Sequence, residues 1–448
     1  MQQKLSLSSS ILIGSMLFGM FFGAGNLIFP VHMGQEAGAS VWLATAGFLI
    51  TAIGLPFLGV VAIGISRSNG LFDLASRIHP TYAKLFTVLL YLTIGPAFAL
   101  PRTATVSYQI GLAPYIGEAY QTMALAGFTL AFFVVALFFA MNPGKLMVYI
   151  GKLLNPLFLL FLAVLLVTAL LAPMGSIAGA PVSGDYVSHA FFKGFTEGYN
   201  TMDALAALAF GIVVVRAMRE LGVTEPSAIA GGIVKSGIVT VILMVVIYGF
   251  LAYVGASGVT TLALSANGGI ALAQTADYYF GSVGAVLLAV IVTLACLKTA
   301  VGLISACSET FADLFPASMS YKPYAYVFTV VSFLIGNVGL TQIITLAIPI
   351  LMLLYPLTIT LILLTFLSPL FHHRRAVYAW TTGFAVLAAI GDALNTLPAV
   401  LAHTATVQSI LAAYGQLPFF DIGMGWVVPS IIGCIIGCIH AAFSRAQV

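Results

Sequence analysis

Two short runs in this 448-residue chain set polar side chains and glycine inside otherwise apolar sequence. The first reads GMFFGAGNLIFP from Gly19 to Pro30, with Gly19, Gly23, Ala24 and Gly25 ahead of Asn26 and Pro30. The second reads FTEGYNTMDALAALAFG from Phe195 to Gly211 and clusters Glu197, Gly198, Tyr199, Asn200, Thr201 and Asp203. Glycine costs about 1 kcal/mol against alanine inside a helix, and proline about 3, so both runs predict interrupted helices. An interruption frees backbone groups for ligands. New helix N-termini favour a carboxylate, and freed carbonyls favour a cation. The chemistry these residues suit is recognition of small charged groups.

The ionisable residues within apolar sequence add to this list, because a charge inside a membrane is costly and marks function by default. Asp203 sits a few residues after the break expected in the second run and could bind a substrate ammonium, take a coupling proton or hold a helix end. Glu197 could gate the site or face water. Lys298 could pair with an acidic group, stand where a second cation would sit, or carry a proton. Arg102 follows Pro96 and Pro101, where proline already loosens the backbone. The alternative for each is an internal salt bridge that keeps helices in register. Glu309 and Asp313 are read as solvated residues near the inner end of their helix.

The elements that must position these residues follow from composition. Charged residues make up 6% of the chain and hydrophobic residues 61%, where soluble domains carry about 25% charge. That excludes a soluble globule, a disordered tail and a collagen-like fibre. Four cysteines are too few for a secreted disulfide scaffold. The solvent is a lipid bilayer. Each span needs about 20 mostly apolar residues. Spans are expected near 7–33, 41–66, 83–111, 122–141, 146–172, 187–215, 227–256, 277–314, 322–339, 341–367, 374–395 and 424–444. The first hydrophobic stretch, near 7–33, is too long for a signal peptide.

With the N-terminus inside, 13 of the 16 basic residues fall in inner segments. These are Lys4, Arg67, Arg77, Lys84, Lys145, Lys152, Arg216, Arg219, Lys235, Lys322, Arg374, Arg375 and Arg445. The outer loops near 112–121, 173–186, 257–276 and 396–423 have none. By the positive-inside rule, both termini are cytoplasmic. Lys193 lies near the outer end of the sixth span.

The two glycine-polar runs open the first and the sixth span, and Asn26 and Thr201 lie 175 residues apart. Five spans followed by five more begin on opposite membrane faces, so the pattern points to an inverted-repeat transporter. The expectation is one all-α transport domain over 1–448, with repeats at 7–172 and 187–367 and extra helices over 374–444.

At these residues the chain resembles the branched-chain amino acid:cation symporters, the BrnQ group of bacterial carriers. The resemblance covers the whole chain and rests on GMFFGAGNLIFP, EGYNTMDALAALAFG and twelve spans without an extra domain. It implies a fold related to LeuT and uptake of leucine, isoleucine and valine with Na⁺ or H⁺ through the cytoplasmic membrane of a bacterium. It further implies that the carbonyls of Gly19 and Phe22 face a cation. Amides around Phe21 and Gly25 would hold the substrate carboxylate, with Gly23 and Ala24 completing the break. Asn26 would offer its oxygen to a cation or stiffen the break. Tyr199, Asn200, Thr201, Met202 and Asp203 would supply the sixth-span side of the site, with Phe21, Tyr199 and Met202 as walls. In the family's fold an A-x-x-T-S pattern on the eighth span completes the cation shell. Here Thr299 matches, Ala300 lacks the second hydroxyl, and Ser305 is a substitute only in a shifted register.

Other chemistries find no support. There is no G-x-x-x-x-G-K-[ST] phosphate loop and no H-E-x-x-H zinc motif, and no convincing nucleophile–base pair. Cys434 and Cys438 are too few for a zinc site. No cofactor is expected beyond the coupling ion. The expected partners are an amino acid, a monovalent cation and lipid, with no nucleic acid and no obligate protein partner. The alternatives are an exchanger or symporter of another small amphipathic solute, and a sensor that binds amino acid without moving it.

Overall fold

The computed structural model describes residues 6–141 and 145–443. All regular structure among these residues is helical. Each of the twelve stretches expected as spans coincides with a helix or a linked pair of helices. Among the described residues, seven helices are long and apolar enough to cross a membrane, or eight when the bent pair Tyr186–Thr201 and Asp203–Glu220 counts as one. Lys4 and Arg445, assigned above to the inner side, lie outside the described residues, as does the final residue of the last expected span.

Three expectations are corrected in detail. Asn26 and Pro30 do not interrupt the first span; both lie inside the helix Gly25–Ala37, and the break is at Phe22–Ala24. Proline's missing N–H costs only the bond to Asn26, one turn into a helix that has just begun. The outer stretch read as a loop over 257–276 is mostly helical. The helix from Pro226 continues to Leu262, and another starts at Gly268. Asn267 starts it by accepting the N–H groups of Gly269 and Ile270 at 3.0 and 3.1 Å, an N-cap. This helix turns at Gly281, whose φ of 60° suits glycine, just inside the eighth expected span. The connector over 396–423 likewise contains the helices Ala399–Ala402 and Ala405–Tyr414.

Packing between the two halves is reciprocal. The first span lies against Pro226–Leu262, the second helix of the later half. The sixth span lies against Val41–Leu49 and Leu55–Ile65, the second span of the earlier half. Both contacts bring backbones together at glycine. A Cβ on Gly34 would meet the Ala252 carbonyl oxygen at 2.0 Å, and one on Gly194 would meet that of Ala44 at 1.9 Å. Small residues permit this close approach where lipid supplies no hydrophobic drive between helices. Hydroxyls reinforce each pair. Thr240 donates to the Gly14 carbonyl at 2.8 Å, and Thr51 donates to that of Phe195 at 2.7 Å. The third helix of each half, Ala99–Gly111 and the later part of Gly268–Leu314, also pack together. This frame sets the two breaks side by side.

Candidate functional site

The first break begins where helix Leu7–Phe21 ends and Phe22 turns extended, with φ −85° and ψ 102°. Asn26 stiffens it. Its Oδ1 accepts the Gly23 N–H at 2.9 Å, and its Nδ2 donates to the Asp203 carboxylate and the Tyr248 hydroxyl. The Asn26 oxygen is thus engaged with backbone. Of the two roles implied for it, this geometry serves the stiffening of the break.

The second break runs through a tight turn at Gly198–Thr201 and then Met202, which is left-handed at φ 61°. A non-glycine residue there is uncommon and holds local strain. The helix halves bend by 46° across it. The Thr201 hydroxyl donates to the Gly198 carbonyl at 2.9 Å and accepts the Asp203 N–H at 3.4 Å. Asp203 then opens the following helix, where a carboxylate complements the N-terminal dipole. The residue is buried.

Arg102 joins the two breaks. Its Nη1 donates to the Asn200 carbonyl at 2.7 Å, and its guanidinium carbon lies 5.0 Å from the centre of the Phe29 ring. Asn26, Arg102 and Asp203, from the first, third and sixth expected spans, therefore converge with Tyr248 from the seventh. Tyr199 stacks on Tyr355 at 4.1 Å between ring centres, and Phe21, Tyr199 and Met202 are all buried walls. Buried polar groups survive only when they are paired or hold a ligand, which makes this cluster the candidate site.

A cavity of about 140 Å³ borders the second break, lined by Glu197, Tyr199, Asn200, Met352 and Asp421 among others. Glu197 is not a free charge at its edge. It accepts from the Asn200 amide at 3.0 Å and pairs with Lys193 at 3.8 Å.

The residues expected to hold a cation are not gathered to the same degree. Gly19 is exposed with open space around its α-carbon. The Thr299 hydroxyl donates to Ala295 within its own helix at 3.1 Å, which leaves its oxygen lone pairs available. Ser305 lies 3.2 Å from the Tyr321 hydroxyl, whose single proton also reaches the Ala140 carbonyl at 2.8 Å. Lys298 is half-buried and makes no hydrogen bond or ion pair with a described residue. No group of three or more His, Cys, Asp or Glu among the described residues could hold a metal ion.

Sequence reasoning missed Tyr248, Tyr355 and Asp392. Each tyrosine is one of 18 in the chain, and its partner is distant in sequence, Asn26 at 222 residues from Tyr248 and Tyr199 at 156 (355 − 199) from Tyr355. Asp392 did carry a signal: it is a carboxylate in an expected span, subject to the same rule that singled out Asp203. It is buried, and its Oδ1 accepts the Gly425 N–H at 3.3 Å.

Comparison with known proteins places this geometry. The family described as "Branched-chain amino acid transport protein" matches residues 6–444. A branched-chain amino acid permease BrnQ of Lactobacillus delbrueckii subsp. lactis is 47% identical over 450 residues, covering 100% of each chain. The BrnQ permease of Bacillus subtilis (strain 168) is 44% identical over 444 residues, covering 99% of each. Among solved structures, MhsT in complex with L-phenylalanine aligns at a TM-score of 0.56 and 16% identity, over 99% of both chains. Mhp1, a nucleobase-cation-symport-1 family transporter in a closed conformation, aligns at 0.55 and 16%, over 98% of this chain and 92% of the other. At such identities these structures show a shared LeuT-like fold and nothing finer.

Proposed function

The chain belongs to the family of branched-chain amino acid transport proteins, a family of transporters and not of enzymes, and from that membership we propose a secondary symporter that imports leucine, isoleucine or valine with Na⁺ or H⁺. The observation that carries the reading is the meeting of the two helix breaks. Asn26 and Asp203, 177 residues apart, share a hydrogen bond across them. Non-helical backbone at membrane depth is tolerated only where protein or an aqueous cavity surrounds it, and broken helices at equivalent repeat positions mark a transport site.

The proposed mechanism is alternating access around that site. The repeats 7–172 and 187–367 cross the membrane with inverted topology, and twelve spans leave both termini in the cytoplasm. The first two helices of each repeat move as one bundle against the remaining helices. The reciprocal contacts at Gly34 and Gly194 support this grouping, since they tie the first span to the seventh and the second to the sixth. The cation site is proposed at Gly19, Phe22 and Thr299. A threonine hydroxyl that donates along its own helix can still turn its oxygen to a cation.

Competition tests the substrate assignment. In proteoliposomes, unlabelled isoleucine and valine are expected to suppress labelled leucine uptake, whereas lysine and glutamate do not. Uptake insensitive to isoleucine and valine would contradict it. Replacing external Na⁺ with an inert cation separates sodium from proton coupling. Thr299→Ala is expected to lower sodium-driven uptake about tenfold, as loss of one oxygen ligand to a charge implies, at unchanged protein abundance. Unaltered sodium dependence would remove Thr299 from the cation site.

A further inference from the structure

Arg102 carries a positive charge into the interior, where the Asp203 carboxylate attracts it without pairing with it directly. Its side chain is buried at 6% exposure. Among the described residues no carboxylate lies within 4.0 Å of it, and the only hydrogen bond it donates from its five N–H groups is the one to Asn200. Leaving a guanidinium so is unfavourable unless an anion completes the site. Its direction is specific. Nη2 lies 2.9 Å from where a Cβ on Gly25 would sit, so only glycine at 25 lets the guanidinium close on the backbone there. Gly25 is also the first residue of the helix Gly25–Ala37, and its N–H has no acceptor among the described residues, whereas those of Asn26 and Leu27 are taken by the Gly23 and Ala24 carbonyls at 3.2 and 3.3 Å. Two positive features, a fixed guanidinium and a helix N-terminus, thus converge on one small region at the first break.

We propose that Arg102 binds the substrate's carboxylate at Gly25, together with the Gly25 N–H, and so restricts the carrier to solutes with a free carboxylate. This rests on the amino acid transport reading and deepens it. A planar guanidinium matches carboxylate geometry, and the Asn200 contact holds it in place from the sixth span. Binding the carboxylate would therefore engage both breaks at once. A purely structural Arg102 would cap the Asn200 carbonyl and be indifferent to the substrate's charge.

The test is binding of L-leucine and L-leucinamide to the purified full chain in detergent, because both ligands carry the ammonium and only leucine carries the carboxylate. Wild-type protein is expected to bind leucine about 30-fold more tightly than leucinamide, the range of a charge-assisted pair. Arg102→Gln should lose most of that preference, by weakening leucine alone. Arg102→Lys should keep part of it. Two results overturn the proposal: a wild type that binds the two ligands equally, or an Arg102→Gln variant that still prefers leucine as the wild type does. If Arg102→Gln fails to fold, Arg102→Lys carries the comparison, and a lysine variant that keeps the full wild-type preference overturns the proposal. A wild type that binds neither ligand overturns the transport reading, and this inference with it.

Discussion

Asp203→Asn is expected to reduce gradient-driven leucine uptake about a hundredfold, as loss of a charged partner in a buried cluster implies, while the protein still inserts and purifies in normal amount. The substitution is close to isosteric. An asparagine at 203 can still accept from the Asn26 amide, and its backbone N–H can still reach the Thr201 hydroxyl. What disappears is the negative charge at the start of helix Asp203–Glu220, between the two breaks. A residue that merely holds a helix end would tolerate the change, because neutral asparagine also serves at helix N-termini. Uptake and protein abundance measured in the same membranes separate the two roles. Near-normal uptake would assign Asp203 to structure. Loss of gradient-driven uptake with retention of leucine counterflow would identify it as the coupling residue.

The second large effect concerns stability. Gly34→Val and Gly194→Val are each expected to destabilise the fold by roughly 3 kcal/mol or more, the upper range for overpacking. The obstacle in both cases is a backbone carbonyl, of Ala252 or Ala44, about 2 Å from the new Cβ. A side chain could rotate aside, but a helix backbone cannot move without its neighbours. Gly231→Val is the control, since a Cβ there meets nothing within 4 Å. Size-exclusion profiles and thermal unfolding of the three purified variants are the measurement. The first two should give aggregated or poorly yielding protein, and the third should behave as wild type. Equal behaviour of all three would show that the helix pairs are looser than the structure describes.

The breaks were legible because glycine and polar residues are conspicuous in apolar sequence, and Gly23, Asn26, Thr201 and Asp203 all lie at or beside them. Their exact form was less so. Pro30 looks like a breaker in isolation, yet one turn into a new helix it is tolerated. The helix beginning at Gly268 was hidden because its glycine-, serine- and threonine-rich approach reads as a connector, and only the Asn267 cap marks its start. Arg102 was visible as an intramembrane charge, but its place between Asn200 and Gly25 depends on how the third span packs. Tyr248 reaches Asn26 across 222 residues, and no local pattern encodes that. The cation ligands were the least legible, since Thr299 matches the pattern without a second hydroxyl beside it and Ser305, offered as a substitute, lies next to the Tyr321 hydroxyl.

The central claim is that the two breaks form a site through which a branched-chain amino acid is moved against its gradient by a cation. Labelled leucine uptake into proteoliposomes, with an imposed inward Na⁺ gradient in one arm and an imposed pH gradient in the other, tests it directly. The account predicts transient accumulation above the external leucine concentration in at least one arm, abolished when the gradient is collapsed. Leucine that never exceeds the external concentration under either gradient would contradict it.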